Sequence, residues 1–267
     1  DIKRQNRLCE AGLISVEKLY TIAAQYGVEY PYDELRKYWK KTLFNQFHDI
    51  LDGSGVKDTY RFTSEEAAEV LGGVDRLTKA AMMKLAEKFG AKDGKAYLIY
   101  NPTGFIRNET VELPVEKGKT YAAVDQNGKA LLCQVDGEVA KVYVEGIPAS
   151  GMTIIVLKED AKEGIKEAVN RIETNEQYYI IKTPMYEVEI CKKNGQITTL
   201  YDIKRDWYIV RREQIGWRLK KGVLNSLQVH MEEPTAMSSW TIGNVRTVHN
   251  LLDGADSKII CDGEVES

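Results

Sequence analysis

The sequence lacks any long apolar run. Hydrophobic residues make up 43% of its 267 residues, yet the longest apolar stretches, such as 152–157, have only the length of a β-strand. A membrane-spanning helix needs about 20 mostly apolar residues. We therefore expect no membrane-spanning segment and no membrane partner. Together with 29% charged residues, this composition is typical of a soluble globular protein and excludes a disordered one.

A surplus of either charge is also missing. The chain has 37 basic and 40 acidic residues, which gives a net charge of −3, and the two signs are interspersed. Proteins that bind nucleic acid or anionic lipid usually carry a basic patch or stripe. We therefore expect no nucleic-acid partner, and a neutral substrate fits this charge balance better.

Cysteine is sparse, and its four copies are far apart. Cys9, Cys133, Cys191 and Cys261 form no C-x-x-C pair and no dense framework. This spacing favours free thiols in a reducing compartment, and the predicted location is the cytoplasm. The sequence starts with Asp1 inside a helical pattern and without a signal-peptide pattern, so we interpret it as an internal piece of a longer protein.

Two kinds of periodicity predict two domains and an α+β multidomain fold. In residues 1–92, apolar side chains recur at intervals of three and four, which predicts an antiparallel three-helix bundle. The predicted helices span 8–26, 33–47 and 63–85. Asp33 and the segment 63–66 supply their N-cap candidates.

Residues 93–267 have the composition of β structure. Short runs rich in Val, Ile, Tyr and Thr alternate with Gly, Asn, Asp and Pro, which predicts an antiparallel β-sandwich. Strands are predicted at 97–100, 110–113, 131–135, 139–144, 153–157, 178–182, 186–191 and 196–201. Hairpin turns are predicted at Asn127-Gly128 and Asn194-Gly195. The charged segment 159–167 predicts a short helix or a linker. Exposed strand edges could pair with a second copy, which would make the protein a homo-oligomer.

The densest group of chemically active residues lies at 45–54, with the sequence Asn-Gln-Phe-His-Asp-Ile-Leu-Asp-Gly-Ser. His48 and Asp49 are adjacent where the second predicted helix ends, and only a helix end would let both side chains reach one site. Histidine is a common zinc ligand, and a neighbouring acid can bind a sugar hydroxyl or orient water near a metal. The residues alone leave open that His48 caps carbonyls at a helix C-terminus or satisfies a local hydrogen bond.

This segment resembles the signature of the glycoside hydrolase family 38 α-mannosidases. Further matches follow in order along nearly the whole chain, at Asn6-Arg7, 35–39, Tyr60, 100–102, 194–202, 225–228 and 232–234. The sequence departs from the family pattern at Asp52, where proline is usual, at Gly55 after Ser54, and at 238–241, which lacks the usual acids.

The resemblance implies a retaining, zinc-dependent α-mannosidase that hydrolyses terminal α-linked mannose from glycans or oligosaccharides. In that family an N-terminal domain contributes one histidine and two aspartates to the zinc, and this signature contributes a second histidine. His48 matches that second histidine, and Asp49 is implied to contact the substrate or to stabilise the metal region. The nucleophile and the acid/base are implied to lie outside this chain. No catalytic residue is therefore assigned here, and the fragment, as one wall of an active site, is expected to be inactive alone.

Two other functions stay open. The chain could be a non-catalytic structural or carbohydrate-binding module, or part of a same-family hydrolase that acts on a small mannosylated solute. The remaining candidate residues are interpreted as structural. They are His230 and His249 as strand or loop residues, Glu232, Glu233 and Asp253 as solvated turn acids, and Trp39, Trp207, Trp217 and Trp240 as core aromatics, of which Trp240 is the one to test for sugar stacking.

Overall fold

The computed structural model describes residues 1–90, 95–159, 171–215, 218–234, 241–252, 254–255 and 257–260. Its first part is helical. The helices are α1 (Ile2–Ala24), α2 (Tyr32–Phe44), α3 (His48–Leu51) and α4 (Lys57–Phe89). None of these described helices is long and apolar enough to cross a membrane.

The three long helices share one apolar core. Each presents a stripe of side chains spaced by three or four residues, as the sequence pattern predicts. The buried members of this core include Leu13, Val16, Leu19 and Ala23 of α1, Leu35 of α2, and Val70, Leu77, Ala81 and Leu85 of α4. The end of α4 follows from a glycine. Gly90 closes α4 with a φ of 80°, a left-handed conformation that glycine adopts without strain, and its amide donates to the Ala86 carbonyl.

The expectation of three helices is wrong in one respect, because the described part of the chain contains four. Phe47 has an extended backbone (φ −54°, ψ 141°), so the second predicted helix is interrupted and a separate short helix begins at His48. The last helix also begins at Lys57 rather than near 63. Instead of capping a helix start, the Thr63 hydroxyl donates to the Thr59 carbonyl (2.8 Å) inside α4.

The second part of the chain is built of β-strands. They are β1 (Ala96–Asn101), β2 (Arg107–Pro114), β3 (Tyr121–Asp125), β4 (Ala130–Asp136), β5 (Val139–Ile147), β6 (Gly151–Glu159), β7 (Arg171–Thr174), β8 (Tyr178–Lys182), β9 (Tyr186–Cys191), β10 (Ile197–Asp202), β11 (Trp207–Val210), β12 (Arg212–Ile215), β13 (Arg218–Lys221), β14 (Gln228–Glu232) and β15 (Val245–Asn250).

Every pairing between these strands is antiparallel, as predicted. A six-stranded sheet has the order β1-β6-β3-β4-β5-β2, a five-stranded sheet has the order β11-β10-β9-β8-β7, and β12-β13 and β14-β15 form separate pairs. Both predicted turns are confirmed. Gly128 lies between β3 and β4 with a φ of 83°, and Gly195 lies between β9 and β10 with a φ of 68°.

The six-stranded sheet encloses its own apolar core. The buried members come from β2, β3, β5 and β6 and include Leu113, Val142, Val144, Ile155 and Leu157. The described side chains of the five-stranded sheet include no fully buried apolar residue. The described residues therefore show antiparallel sheets but no core shared by the two layers of a sandwich. Of the predicted helix or linker at 159–167, residue 159 ends β6, and 160–167 lie outside the described residues.

The helical core and the six-stranded sheet are in contact. Leu98 and Tyr100 of β1 and Met152 of β6 pack against the helical core. The Lys18 ammonium of α1 also donates to the Pro102 carbonyl (3.0 Å). The predicted domain boundary at 92/93 falls within 91–94, outside the described residues, and stays a prediction.

Three cysteines can be placed in the fold. Cys9, Cys133 and Cys191 are free thiols, as predicted, and Cys261 lies outside the described residues. Burial raises the pKa of Cys9 and raises that of Cys133 to about 11. Both thiols are therefore protonated and unreactive at neutral pH.

Candidate functional site

The segment with the signature lies in the connection between α2 and α4. After α2, the amides of Gln46 and Phe47 donate to the carbonyls of Leu43 and Phe44, both at 3.2 Å, which closes a tight turn. The extended backbone of Phe47 then directs the chain into α3, and His48 is the first residue of that helix. The interpretation of His48 as a cap on a helix C-terminus is therefore wrong, because His48 is the first residue of α3.

The side chains of His48 and Asp49 lie next to each other. The His48 Nε2 atom lies 3.6 Å from the Asp49 Oδ1 atom, and the two side chains are 78% and 62% exposed. The Phe47 ring packs against the imidazole with 4.1 Å between ring centroids. Apart from the contact with Asp49, neither ring nitrogen of His48 has a polar partner within the described part of the chain. The imidazole is therefore free to bind a group that approaches from outside.

The turn before His48 is held by a polar network between α2 and α4. Asn45 Nδ2 donates to the Glu66 Oε2 atom (2.9 Å) and to the Lys41 carbonyl (3.1 Å). Thr63 Oγ1 lies 3.2 Å from Asn45 Oδ1, and Lys41 Nζ donates to Glu66 Oε1 (3.2 Å). A second carboxylate, that of Glu69, lies 2.8 Å from Lys41 Nζ and raises the pKa of Lys41. A buried amide is thus fully satisfied, which fixes the turn to the bundle.

The loop after α3 is closed by its own side chains. Asp52 Oδ1 accepts hydrogen bonds from the Ser54 amide (3.0 Å) and the Ser54 hydroxyl (2.9 Å), and the Ser54 amide lowers the pKa of Asp52. The Gly55 amide donates to the Tyr60 hydroxyl oxygen (2.6 Å). Asp52 therefore shapes the turn by hydrogen bonding at the position where the family usually has proline.

A zinc centre needs more donors than this segment offers. Catalytic zinc sites use about three protein ligands and keep one position open. Within the described residues, no group of three or more His, Cys, Asp or Glu side chains is arranged to hold a metal ion. His48 nevertheless suits one position of a shared centre, because its ring nitrogens face solvent and an acid stands beside it. The donor chemistry fits zinc only if the other ligands come from elsewhere.

His230 and His249 are strand residues, as predicted. His230 lies on β14, where its Nε2 atom is 3.1 Å from Gln228 Oε1, and His249 lies on β15. The prediction of solvated turn acids is wrong for Glu232, which is the last residue of β14 and accepts from the Gly243 amide (2.8 Å). Glu233 follows it and pairs with Arg246 (2.8 Å).

Of the two tryptophans among the described residues, one packs against a core and the other is exposed. Trp39 packs against the helical core, as predicted, whereas Trp207 on β11 is exposed, so its assignment to a core is wrong. The edge position of β11 in the five-stranded sheet explains that exposure. Trp217, Trp240 and Asp253 lie outside the described residues, as does most of the departing segment 238–241.

The helical part of the chain is similar to a known family. Residues 1–85 match the family described as the alpha mannosidase middle domain. The chain is also similar to Alpha-mannosidase 2C1 of Mus musculus, with 30% identity over 115 residues, and to Alpha-mannosidase 2C1 of Homo sapiens, with 32% identity over 123 residues. The matches cover 42% and 44% of this chain and 11% of each relative. The matched region is thus a small part of those proteins.

Solved structures share the fold over most of the chain. An alpha-mannosidase from Enterococcus faecalis superposes with a TM-score of 0.63, and a protein in the glycosyl hydrolase family 38 from the same species superposes with a TM-score of 0.64. Both have 16% sequence identity to this chain and cover 86% of it, while the chain covers 33% and 34% of their lengths. The arrangement of helices followed by antiparallel sheets is therefore common to all three.

Proposed function

We propose that the full-length protein containing this chain is a zinc-dependent α-mannosidase of glycoside hydrolase family 38, which the match of residues 1–85 to the alpha mannosidase middle domain and the similarity to two α-mannosidases support. It hydrolyses terminal α-linked mannose of glycans or oligosaccharides and retains the anomeric configuration. The observation that carries the proposal is the exposed pair His48 and Asp49 on a turn fixed to the helical bundle. The free thiols of the described cysteines support a cytoplasmic location.

His48 is the zinc ligand that this chain contributes. Its imidazole projects into solvent from the first turn of α3, so a second domain can approach it without displacing any packed side chain. When bound, zinc would supply a Lewis acid that polarises the hydroxyl groups of the sugar. The neutral imidazole is the form that donates to a metal.

Asp49 serves the same site as a substrate-binding residue. Its carboxylate is exposed beside the imidazole and can accept hydrogen bonds from sugar hydroxyls or from water. A carboxylate near a metal-bound sugar also balances positive charge. Its Oδ1 atom lies 3.6 Å from His48 Nε2, so one bound group could reach both side chains.

The reacting carboxylates belong to another part of the full-length protein. Retaining glycosidases need two carboxyl groups about 5–5.5 Å apart, one as nucleophile and one as acid/base. The described residues around His48 offer Asp49 and Asp52, and Asp52 is engaged with Ser54. This chain therefore forms one wall of the active site, and it is inactive alone.

The proposal is tested by hydrolysis of an aryl α-mannoside. The full-length protein is expected to turn the substrate over, to lose activity on chelation and to regain it with zinc, because His48 needs its co-ligands and the metal. The first sugar released, followed by proton NMR, is expected to be α-mannose. The 267-residue chain should show no turnover under any of these conditions.

Three outcomes of these experiments would contradict the proposal or favour one of the two alternative functions. Zinc-dependent turnover by the 267-residue chain would contradict the division of the site between domains. Saturable heat on titrating that chain with mannosides, without turnover by the full-length protein, would favour a carbohydrate-binding module. Turnover of a small mannosylated solute but not of oligosaccharides would assign the protein to the other hydrolase class.

A further inference from the structure

In the turn before His48, the apolar side chains are exposed and the polar side chains are turned inward. Its aromatic side chains, Phe44 and Phe47, point to solvent, whereas the amides of Asn45 and Gln46 face the bundle. Apolar burial therefore does not hold this turn in place. Polar contacts must do so, and they are directional, which makes them suited to setting an orientation.

Gln46 is tied to α1 by two hydrogen bonds. Its Nε2 atom donates to Glu10 Oε1 (2.9 Å) and to Asn6 Oδ1 (3.0 Å). Glu10 is the centre of this group, because its other oxygen accepts from Asn6 Nδ2 (3.2 Å) and from Arg7 Nη1 (3.3 Å). The Glu10 side chain is only 28% exposed, so its charge-assisted bonds are partly shielded from water.

The segment that carries His48 has few other restraints. The helix α3 has four residues, too few to be stable without tertiary contacts. On the far side of His48, Ile50 is buried. On the near side, the first residue anchored to α1 is Gln46. The direction of the imidazole is thus set between these two anchors.

We propose that Glu10 is a positioning residue for the metal ligand, acting on His48 through Gln46. The inference rests on the proposed function and adds a residue from a different helix, 38 positions earlier in the sequence. Glu10 is not needed to hold α1 in the bundle, because Cys9, Leu13 and Val16 already bury that helix. Its carboxylate instead accepts a hydrogen bond from Gln46 Nε2, and this bond fixes where the chain enters α3.

Glu10→Gln in the full-length protein tests the inference. The substitution keeps the size of the side chain, removes the charge and replaces one acceptor oxygen by a donor, which opposes Asn6 Nδ2 or Arg7. We expect zinc to bind about 10-fold more weakly, measured by competition with a chromogenic chelator, as for other residues that orient metal ligands. The kcat should fall with little change in KM, and the melting temperature of the metal-free protein should stay within about 2 °C.

Two further variants keep the test specific. Glu10→Gln combined with Gln46→Glu restores a carboxylate–amide pair with exchanged partners, and zinc affinity should recover. Glu65→Gln is the matched control, since Glu65 makes a similar contact with Arg61 Nη1 (3.1 Å) on α4 but does not touch the turn. It should bind zinc as the unchanged protein does.

The outcomes distinguish this inference from the proposed function. If Glu10→Gln binds zinc normally while His48→Ala does not, the positioning role is wrong and the metal ligand stands. If His48→Ala also binds zinc normally, the proposed function itself fails. A lower melting temperature of metal-free Glu10→Gln, with no recovery in the double variant, would make Glu10 merely structural and overturn the inference.

Discussion

His48→Ala in the full-length protein is expected to lower kcat/KM for an aryl α-mannoside at least about 100-fold. Residues that only orient a metal ligand cost 10- to 100-fold when replaced, so loss of a ligand itself should lie at or beyond the upper end. Zinc content after gel filtration should fall in parallel. Folding should be unaffected, because the imidazole is 78% exposed and is in contact with the Phe47 ring and the exposed Asp49 carboxylate.

The matched control for this change is His249→Ala. His249 is an exposed histidine on β15 and is far from the signature in sequence. Its replacement should leave activity and zinc content unchanged. Equal zinc content in the His48→Ala and His249→Ala proteins would remove His48 from the metal site, whatever the effect on turnover.

Gly73→Ala is expected to destabilise the helical part by about 2 kcal/mol. Gly73 is buried in α4, and a Cβ atom there would overlap the ring of Tyr38 on α2. Overpacking of this kind costs about 1–3 kcal/mol. The ring is not free to move away, because the Tyr38 hydroxyl donates to Glu34 Oε1 (2.7 Å). The contact thus explains why a long helix carries glycine in its interior.

The neighbouring Gly72 provides the control. A Cβ atom at Gly72 would meet no atom within 4 Å, so Gly72→Ala should stabilise α4 by up to about 1 kcal/mol through helix propensity alone. The free energy of unfolding of each variant is measured by urea titration of the helical circular dichroism signal. Equal effects of the two substitutions would show that α2 and α4 do not meet at Gly73.

The sequence pattern was sufficient for the long helices, because each buries one continuous stripe. The pattern failed where a single residue with a non-helical backbone conformation interrupts a helix. The extended conformation of Phe47 splits the predicted second helix, and no periodicity encodes it. The prediction that Thr63 caps a helix start was wrong for a related reason. A threonine hydroxyl can cap a helix start, or it can donate to a carbonyl of the preceding turn inside a helix.

The strands show the same contrast. β8 and β9 match their predicted bounds, because their ends coincide with polar turns. Seven strands were missed, namely β3, β7, β11, β12, β13, β14 and β15. Two of these, β7 and β11, are four-residue strands at the edges of the five-stranded sheet, where one neighbour is absent and burial leaves a weak pattern.

The candidate site was found from the signature, but its supports were not. Glu10 and Glu66 reach the turn from α1 and α4, at separations of 36 and 21 residues from the amides that they hold. Only the folded chain brings such groups together. A signal was nevertheless present in the sequence, since Asn6 and Gln46 are polar residues on helical stripes that are otherwise apolar.

Anomalous diffraction at the zinc edge, from crystals of the zinc-loaded full-length protein, tests directly whether His48 is a zinc ligand. We expect a zinc peak about 2.0–2.1 Å from a ring nitrogen of His48, with the other protein ligands contributed from outside this chain. A zinc site that is complete without His48 would contradict the proposed role of this histidine.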